Sequence, residues 1–396
     1  MRAWILALWA SLVPLVCQAQ ESRPITLGER ASLRSTVLGE EREYWVYLPA
    51  SYSDSTYAPE RYPVLYLLDG EANFHGAAGT VHVMSSGRIG TVQIPEMIVV
   101  GILNTDRTRD FTPTHTTRRP QGEDPSLKTS GGADAFLRFL EAELMPHIER
   151  TYRTQSYRVI VGHSFGGLLA LHAFVARPHL FQGYIAIDPS LFWDEQVVVR
   201  RAERASEGPG RQRTVYIGLS PAYSSGHSGE AVLKFAGLVE KRPDVRSSIQ
   251  HFEREIHQSV GLVALYDGLL FLFEGFRLTP GQIFEEAAEL TARFQQLSER
   301  FGIELRPPER FIDDVAHAIL RANFADKAAD LLQFNVGAHP TSFNAHRSLA
   351  QAYVKKGDVS LAIEHYETAL QLNPKDEDSR RLLRALRRGQ DGAAPE

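Results

Sequence analysis

The sequence runs to 396 residues, 43% of them hydrophobic and 23% charged, with a formal net charge of -5. That is enough apolar material for two domains with sizeable cores. The mild acidic balance excludes nucleic acid as the main partner, since binding a phosphate backbone calls for a basic surface.

In chain order, the first signal is a leader. Arg2, the apolar run Trp4 to Val16 and the small residue Ala19 read as a secretory signal ending near residue 19. Thirteen apolar residues fall short of the ~20 a helix needs to span hydrocarbon. The mature chain is therefore expected to be secreted or periplasmic, with no membrane span. The one cysteine, Cys17, lies inside that leader, so the mature chain has no disulfide, cysteine nucleophile or thiolate metal site.

From residue 20 to 277, short β-rich runs alternate with amphipathic stretches. The runs are Val64 to Leu68, Met97 to Val100, Arg158 to Val161, Tyr184 to Ile187 and Thr214 to Ile217. Apolar runs this short, bounded by Gly, Pro or Asp, suit strands buried on both faces of a parallel sheet. Between them, Phe136, Phe139, Leu140, Leu144 and Ile148 share a helical face, and Leu168 to Ala176 forms another helix. The pattern predicts an α/β fold with a doubly wound, mostly parallel sheet, and Glu43 to Leu48 as an antiparallel edge strand.

Residues 278–388 lose the strand signals and read as a smaller all-α domain. Ala316, Ala328 and Pro340 recur 34 residues later as Ala350, Ala362 and Pro374, the spacing of a tetratricopeptide unit. The first copy is degenerate at Asn335. Two copies are too few to stand alone, so they should pack on the helix Phe284 to Phe301 or on the preceding domain. Recognition of a protein partner or self-association, or service as a lid, are the roles open to this region. Asp376 to Arg388 reads as a capping helix and residues 389–396 as a disordered tail.

Chemistry enters at Gly162-His163-Ser164-Phe165-Gly166, a G-x-S-x-G elbow that follows a strand and precedes a helix, as that motif requires. A sharp turn there presents the Ser164 hydroxyl above the sheet, next to a helix N-terminus that favours developing negative charge. The hydroxyl needs a base. His257 follows the β-like run Ser248 to Phe252 and precedes a helix, the place the triad histidine takes in this fold; His227 and His251 are its rivals. No H-E-x-x-H or comparable spacing points to a metal.

Six segments then carry a family resemblance: Tyr66 to Gly70, Asn104 to Asp110, the elbow, Asp188 to Trp193, His257 to Val260, and Leu265 to Leu269. With them the chain resembles the esterase D and enterochelin-type siderophore esterase family of α/β-hydrolases. The resemblance implies Ser164 as nucleophile, His257 as base, and an oxyanion hole from the backbone N–H groups of Phe165 and Glu71. It implies no cofactor. Where the family often carries a glutamate, this chain reads Ser220-Pro221-Ala222-Tyr223, which leaves Glu230 as the candidate acid, or a Ser-His dyad. Arg107 and Arg109, with Arg118 and Arg119, are candidates to meet an anionic substrate, and Trp193, beside Phe192, to wall the site; a solvated loop and core packing explain the same residues. The expected function is exported serine-esterase chemistry on a small ester, siderophore-like or other. An acyltransferase using the same residues, or an interaction protein acting through its repeats, are the competing readings.

Overall fold

A computed structural model of the chain describes residues 25–119, 122–205, 212–285 and 287–391. The expected leader, and residues 392–396 of the expected tail, lie outside the described residues. The apolar runs become the middle of one eight-stranded sheet. Its strands are β1 Glu29–Arg34, β2 Glu41–Tyr47, β3 Tyr62–Leu67, β4 Ile98–Ile102, β5 Thr154–His163, β6 Gly183–Ile187, β7 Arg213–Leu219 and β8 Val245–His251. They lie in the order β1-β2-β4-β3-β5-β6-β7-β8. From β4 to β8 every neighbouring pair is parallel, and β1 and β2 close one side antiparallel. β3, β4, β6 and β7 are buried along their whole length, which is why their sequence shows no polar alternation.

One expectation is corrected here. β2 is antiparallel as anticipated, but the edge position belongs to β1, which pairs along it from Glu29 to Arg34. That strand, Glu-Arg-Ala-Ser-Leu-Arg, is largely exposed or half-exposed. It therefore carries no apolar run to announce it, while its charges blunt an otherwise open edge.

Helices cover both faces. On one lie α1 Gly70–Ser85 and, late in the chain, α7 Val260–Leu272; on the other lie α3 (133–151), α4 Phe165–Ala176, α5 Trp193–Arg204 and α6 Gly226–Glu240. Phe136, Phe139, Leu140, Leu144 and Ile148 are all buried on α3, the face their spacing marks out. The short helix α2 Arg107–Phe111 follows β4. It is anchored from β2 by Arg42, whose guanidinium is 2% exposed, pairs with Asp110 at 2.7 Å and with Glu40 at 2.9 Å, and donates to the Leu103 carbonyl.

The C-terminal helices are α8 Pro280–Glu285, α9 Ala287–Phe301, α10 Glu309–Arg321, α11 Ala325–Ala338, α12 Phe343–Lys356, α13 Val359–Leu372 and α14 Glu377–Asp391. They do not stand apart. The core under α1 and α7 continues through Phe294, Phe301, Phe311 and Leu332 to Leu349. The Phe301 ring meets Tyr157 of β5 and Phe273 beyond α7 at 5.1 and 5.4 Å, and Leu278 is bridged to Val92. α10/α11 and α12/α13 are the two repeat units. Their contact alanines, Ala316, Ala328, Ala350 and Ala362, are fully buried. Asn335, the departure in the first copy, is also fully buried and donates to the Glu309 carbonyl. α14 closes the stack through Leu383.

Two stability measurements test this arrangement. Arg42→Met leaves the buried Asp110 carboxylate with Arg109 alone and is expected to cost about 3 kcal/mol in denaturant unfolding, most of it recovered in Arg42→Met/Asp110→Asn. Glu309 is 3% exposed, and burial pushes its acid up to about 7 against hydrogen bonds from the Ser342 hydroxyl and the Ala58 backbone. Between the ordinary value of 4.5 and about 7 the folded chain holds a proton that the unfolded chain has released, so stability falls as pH rises through that window. Glu309→Gln is therefore expected to gain on wild type by on the order of 3 kcal/mol between pH 4.5 and pH 8; a pH-independent difference contradicts the assignment.

Candidate active site

The parallel strands end together on one side of the sheet, and the chemistry of the chain collects there. At the end of β5, Ser164 adopts φ 60° and ψ -115°, a strained conformation for a side-chain-bearing residue. The turn is so tight that a Cβ on Gly162 would lie 2.2 Å from the Gly166 carbonyl oxygen, so only glycine fits. The first helical hydrogen bond of α4 runs from Leu168 N to Ser164 O. Phe165 to Gly167 therefore form the opening turn of α4, ahead of that bond.

One strand over, Asp69 caps α1 two residues past the end of β3 and is left-handed at φ 55°. The first bonds of α1 start at Ala72 N, which leaves the Glu71 N–H free of an intrahelical acceptor. The two helix N-termini lie close together: a Cβ on Gly166 would sit 3.4 Å from Asp69 Oδ2. The Glu71 carboxylate is tied back by Asn104 Nδ2 at 2.7 Å, and the same amide group donates to Asp69 at 2.7 Å. Phe165 and Glu71 thus lie in the first turns of α4 and α1, which the Gly166–Asp69 approach brings side by side.

β6 ends at Asp188, wholly buried and left-handed at φ 41°. Its Oδ1 accepts from Ser220 N at 2.7 Å, and its Oδ2 accepts from Ser220 Oγ at 2.6 Å and from His257 Nδ1 at 2.9 Å. With Asp188 as acceptor, the His257 proton sits on Nδ1, and Nε2 is left with its lone pair. Two rings flank that imidazole: His163 at 4.4 Å and Tyr223 at 4.7 Å, the latter within 9° of parallel. Burial, then the neighbouring His257, push the His163 imidazole down to about 4, so it is neutral near pH 7. Among the described residues no hydrogen bond joins the Ser164 hydroxyl to His257; such bonds commonly tighten only around substrate.

Glu230 is not part of this constellation. It lies exposed on α6, paired with Lys234 one turn along at 2.8 Å, and the carboxylate on His257 is Asp188. A glutamate is expected after β7, whereas the carboxylate that meets His257 follows β6, the neighbour of the elbow strand. A signal was available: Asp188 directly follows a fully apolar strand and falls between Ser164 and His257, the chain order this fold uses.

The arginines are braces. Arg107 forks onto Asp69 at 2.6 and 3.0 Å and donates to the His163 carbonyl at 3.0 Å, joining the β3 turn to the elbow; its side chain keeps 34% exposure. Arg109 points elsewhere, all three nitrogens on Glu40 and Asp110. Arg118 lies on a two-residue ribbon strand. Trp193 is 4% exposed, its N–H on Thr114 and its ring edge-on to Phe165 at 5.2 Å; it backs the elbow. Phe192, nearer the surface, opens with Trp193, Arg118, Arg200 and His227 onto a cleft of about 810 Å³. Another cavity, about 610 Å³, opens at the opposite end of the strands, between Tyr62, Thr154 and His339, away from Ser164 and His257.

His163, Asp188 and His257 bring one possible ligand atom each within 4.8 Å of one another. Ring-to-ring packing suits a metal poorly, because ligation needs both lone pairs to converge in the ring planes. Asp188 on Nδ1 instead suits an imidazole held in one tautomer, with Nε2 left to take up a proton.

An α/β-hydrolase with its serine elbow, histidine loop and carboxylate in register is the class that this fold and site define. A model of the Putative esterase family matches residues 35–205 and a tetratricopeptide repeat model matches 343–376. The chain is similar to the crystal structure of an IroE-like serine hydrolase from Shewanella oneidensis, 33% identical with a TM-score of 0.68, over 78% of this chain and 98% of that one. It is 34% identical to ferri-bacillibactin esterase BesA of Bacillus subtilis over 41% of this chain and 59% of that protein. The chain spans between half and three fifths of the curated relatives it first matches. A solved structure from Capnocytophaga ochracea, 17% identical with a TM-score of 0.58, shares the fold over 91% of this chain. The chain therefore belongs to the Putative esterase family, with a tetratricopeptide-type region at its C-terminal end. Among the described residues no helix is long and apolar enough to cross a membrane.

Asp188→Asn is expected to lower ester-hydrolysis kcat/KM by about 10³–10⁴-fold, since the amide favours the wrong imidazole tautomer, while Glu230→Gln is expected to leave it unchanged. Steady-state kinetics on an aryl ester checks both, and a loss in Glu230→Gln with Asp188→Asn near wild type would return the acid role to Glu230.

Proposed function

We propose that the chain is an exported serine esterase that cleaves carboxylic esters through an acyl-enzyme. Ser164 Oγ attacks the ester carbonyl and gives its proton to His257 Nε2. The imidazolium that forms is held by Asp188. The oxyanion lies against the Phe165 and Glu71 amides. His257 then passes the proton to the leaving alcohol, and water repeats the cycle with the acyl group. The observation that carries this reading is the His257 Nδ1–Asp188 hydrogen bond of 2.9 Å beside a serine held at φ 60° in a glycine elbow.

The substrates of the named relatives supply the substrate proposal: a small ester of siderophore type. The cleft of about 810 Å³ beside Phe192, whose ring neighbours Tyr223 over His257, falls in the size range of small-molecule sites. Export rests on the leader-like first nineteen residues, and the repeat region offers a surface for a protein partner. Acyl transfer to an alcohol uses the same groups and differs only in what replaces water.

A fluorophosphonate probe tests the proposal directly. The wild-type chain is expected to be labelled stoichiometrically, Ser164→Ala not at all, and His257→Ala at least a hundred-fold more slowly (about 10²–10⁴ for loss of a general base). An unlabelled wild type that hydrolyses no aryl ester would remove the enzyme reading and leave the interaction reading.

A further inference from the structure

The segment after β7 stands where a catalytic glutamate was expected and carries none. It reaches the base in two other ways. Ser220 gives both its N–H and its hydroxyl to Asp188. Three residues on, at the end of the short turn Pro221–Tyr223, the Tyr223 ring lies on the imidazole of His257 at 4.7 Å and 9°. A second ring, His163, lies at 4.4 Å with a 39° tilt. The base is thus fixed at its Nδ1 edge by a carboxylate and flanked by one electron-rich ring and one imidazole.

We propose that Tyr223 is a positioning residue for His257, a π plate that holds the imidazole plane toward Ser164 and favours its protonated form. The inference rests on the serine-esterase reading above and deepens it. When Ser164 attacks, its proton moves from Oγ to Nε2 and the imidazole gains a full positive charge. A phenol face in parallel contact is attracted to that charge through the ring quadrupole, more strongly than to the neutral ring it stacks on. The effect therefore grows along the reaction coordinate, which is the condition for lowering a barrier.

His163 completes the arrangement because it stays uncharged. Its Nε2 is buried without a hydrogen-bond partner, and burial beside His257 holds it neutral, so it fills space against the base without opposing the new charge. The charged groups around His257 are Asp188 on its Nδ1 and, behind His163, Asp69 with its paired Arg107. Tyr223 is itself backed by Phe192 at 6.4 Å, and the turn that carries it is tied by Tyr223 N to Ser220 O at 3.0 Å. The same serine therefore orients the carboxylate at the ring edge and anchors the plate over the ring.

The experiment compares Tyr223→Phe and Tyr223→Leu with wild type. Phenylalanine keeps the π face, and leucine keeps much of the bulk without it. Tyr223→Phe is expected to stay within about two-fold of wild type. Tyr223→Leu is expected to lose about three- to thirty-fold in kcat with little change in KM, the range a cation–π contact supplies. The acidic limb of its kcat/KM–pH profile moves to lower pH, because the imidazolium has lost a stabilising partner. Its thermal midpoint and fluorophosphonate stoichiometry are read alongside, so that misfolding is recognised.

Wild-type kinetics and an unmoved pH limb in folded, labelled Tyr223→Leu would overturn the inference. So would a loss in Tyr223→Phe as large as in Tyr223→Leu, since that would assign the effect to the hydroxyl. Neither result touches the esterase reading, which fails only if wild type itself is neither labelled nor active. Histidine proton resonances, assigned with His257→Gln, give a readout without turnover: a lowered His257 titration in Tyr223→Leu is expected, and an unchanged one contradicts the proposal.

Discussion

The site is organised by one buried negative charge. Asp188 has no exposure to solvent, and a lone carboxylate so placed is costly unless its oxygens are satisfied. Ser220 supplies two donors and His257 a third. Those bonds tie together the ends of β6 and β7 and the loop after β8, three segments far apart in sequence. Remove the charge and the imidazole loses both its preferred tautomer and its tether. The proposed chemistry at Ser164 follows from that tether, because a serine hydroxyl is a poor nucleophile without an oriented base.

Much of this was legible in the residues. The parallel strands declared themselves as apolar runs too short for buried helices, and the elbow declared itself by lying between such a run and a helix. His257 was identifiable by position after the last strand. Other features had no local signature. β1 is polar and pairs by backbone alone, so hydrophobic patterning passes over it. The carboxylate was sought one strand too far along, because nothing in a linear sequence says which strand end will lie against a distant loop. The arginines around 107–109 looked like a cationic mouth. In three dimensions Arg109 is taken up by Glu40 and Asp110, and Arg107 clamps Asp69 to the elbow. Tyr223 could not be singled out from its neighbours, since a ring contact across the sheet end has no spacing rule.

The helical region shows why a repeat period predicts architecture better than independence. The 34-residue recurrence locates both helix pairs and their buried alanines. Two units nevertheless leave an apolar flank, and here the chain covers it internally: Phe294, Phe301 and Phe311 run the hydrolase core into the repeats. The first unit departs from its pattern at Asn335, where the side chain meets the Glu309 carbonyl. That buried polar patch lies at the end of the strands away from Ser164.

The most direct test of the central claim is a crystal structure of the protein after reaction with a fluorophosphonate. The account requires phosphorus bonded to Ser164 Oγ and its phosphoryl oxygen between the Phe165 and Glu71 amides. It also requires His257 to be still donating to Asp188. Phosphorus on any other residue, or an imidazole turned off Asp188 toward another carboxylate, would contradict it.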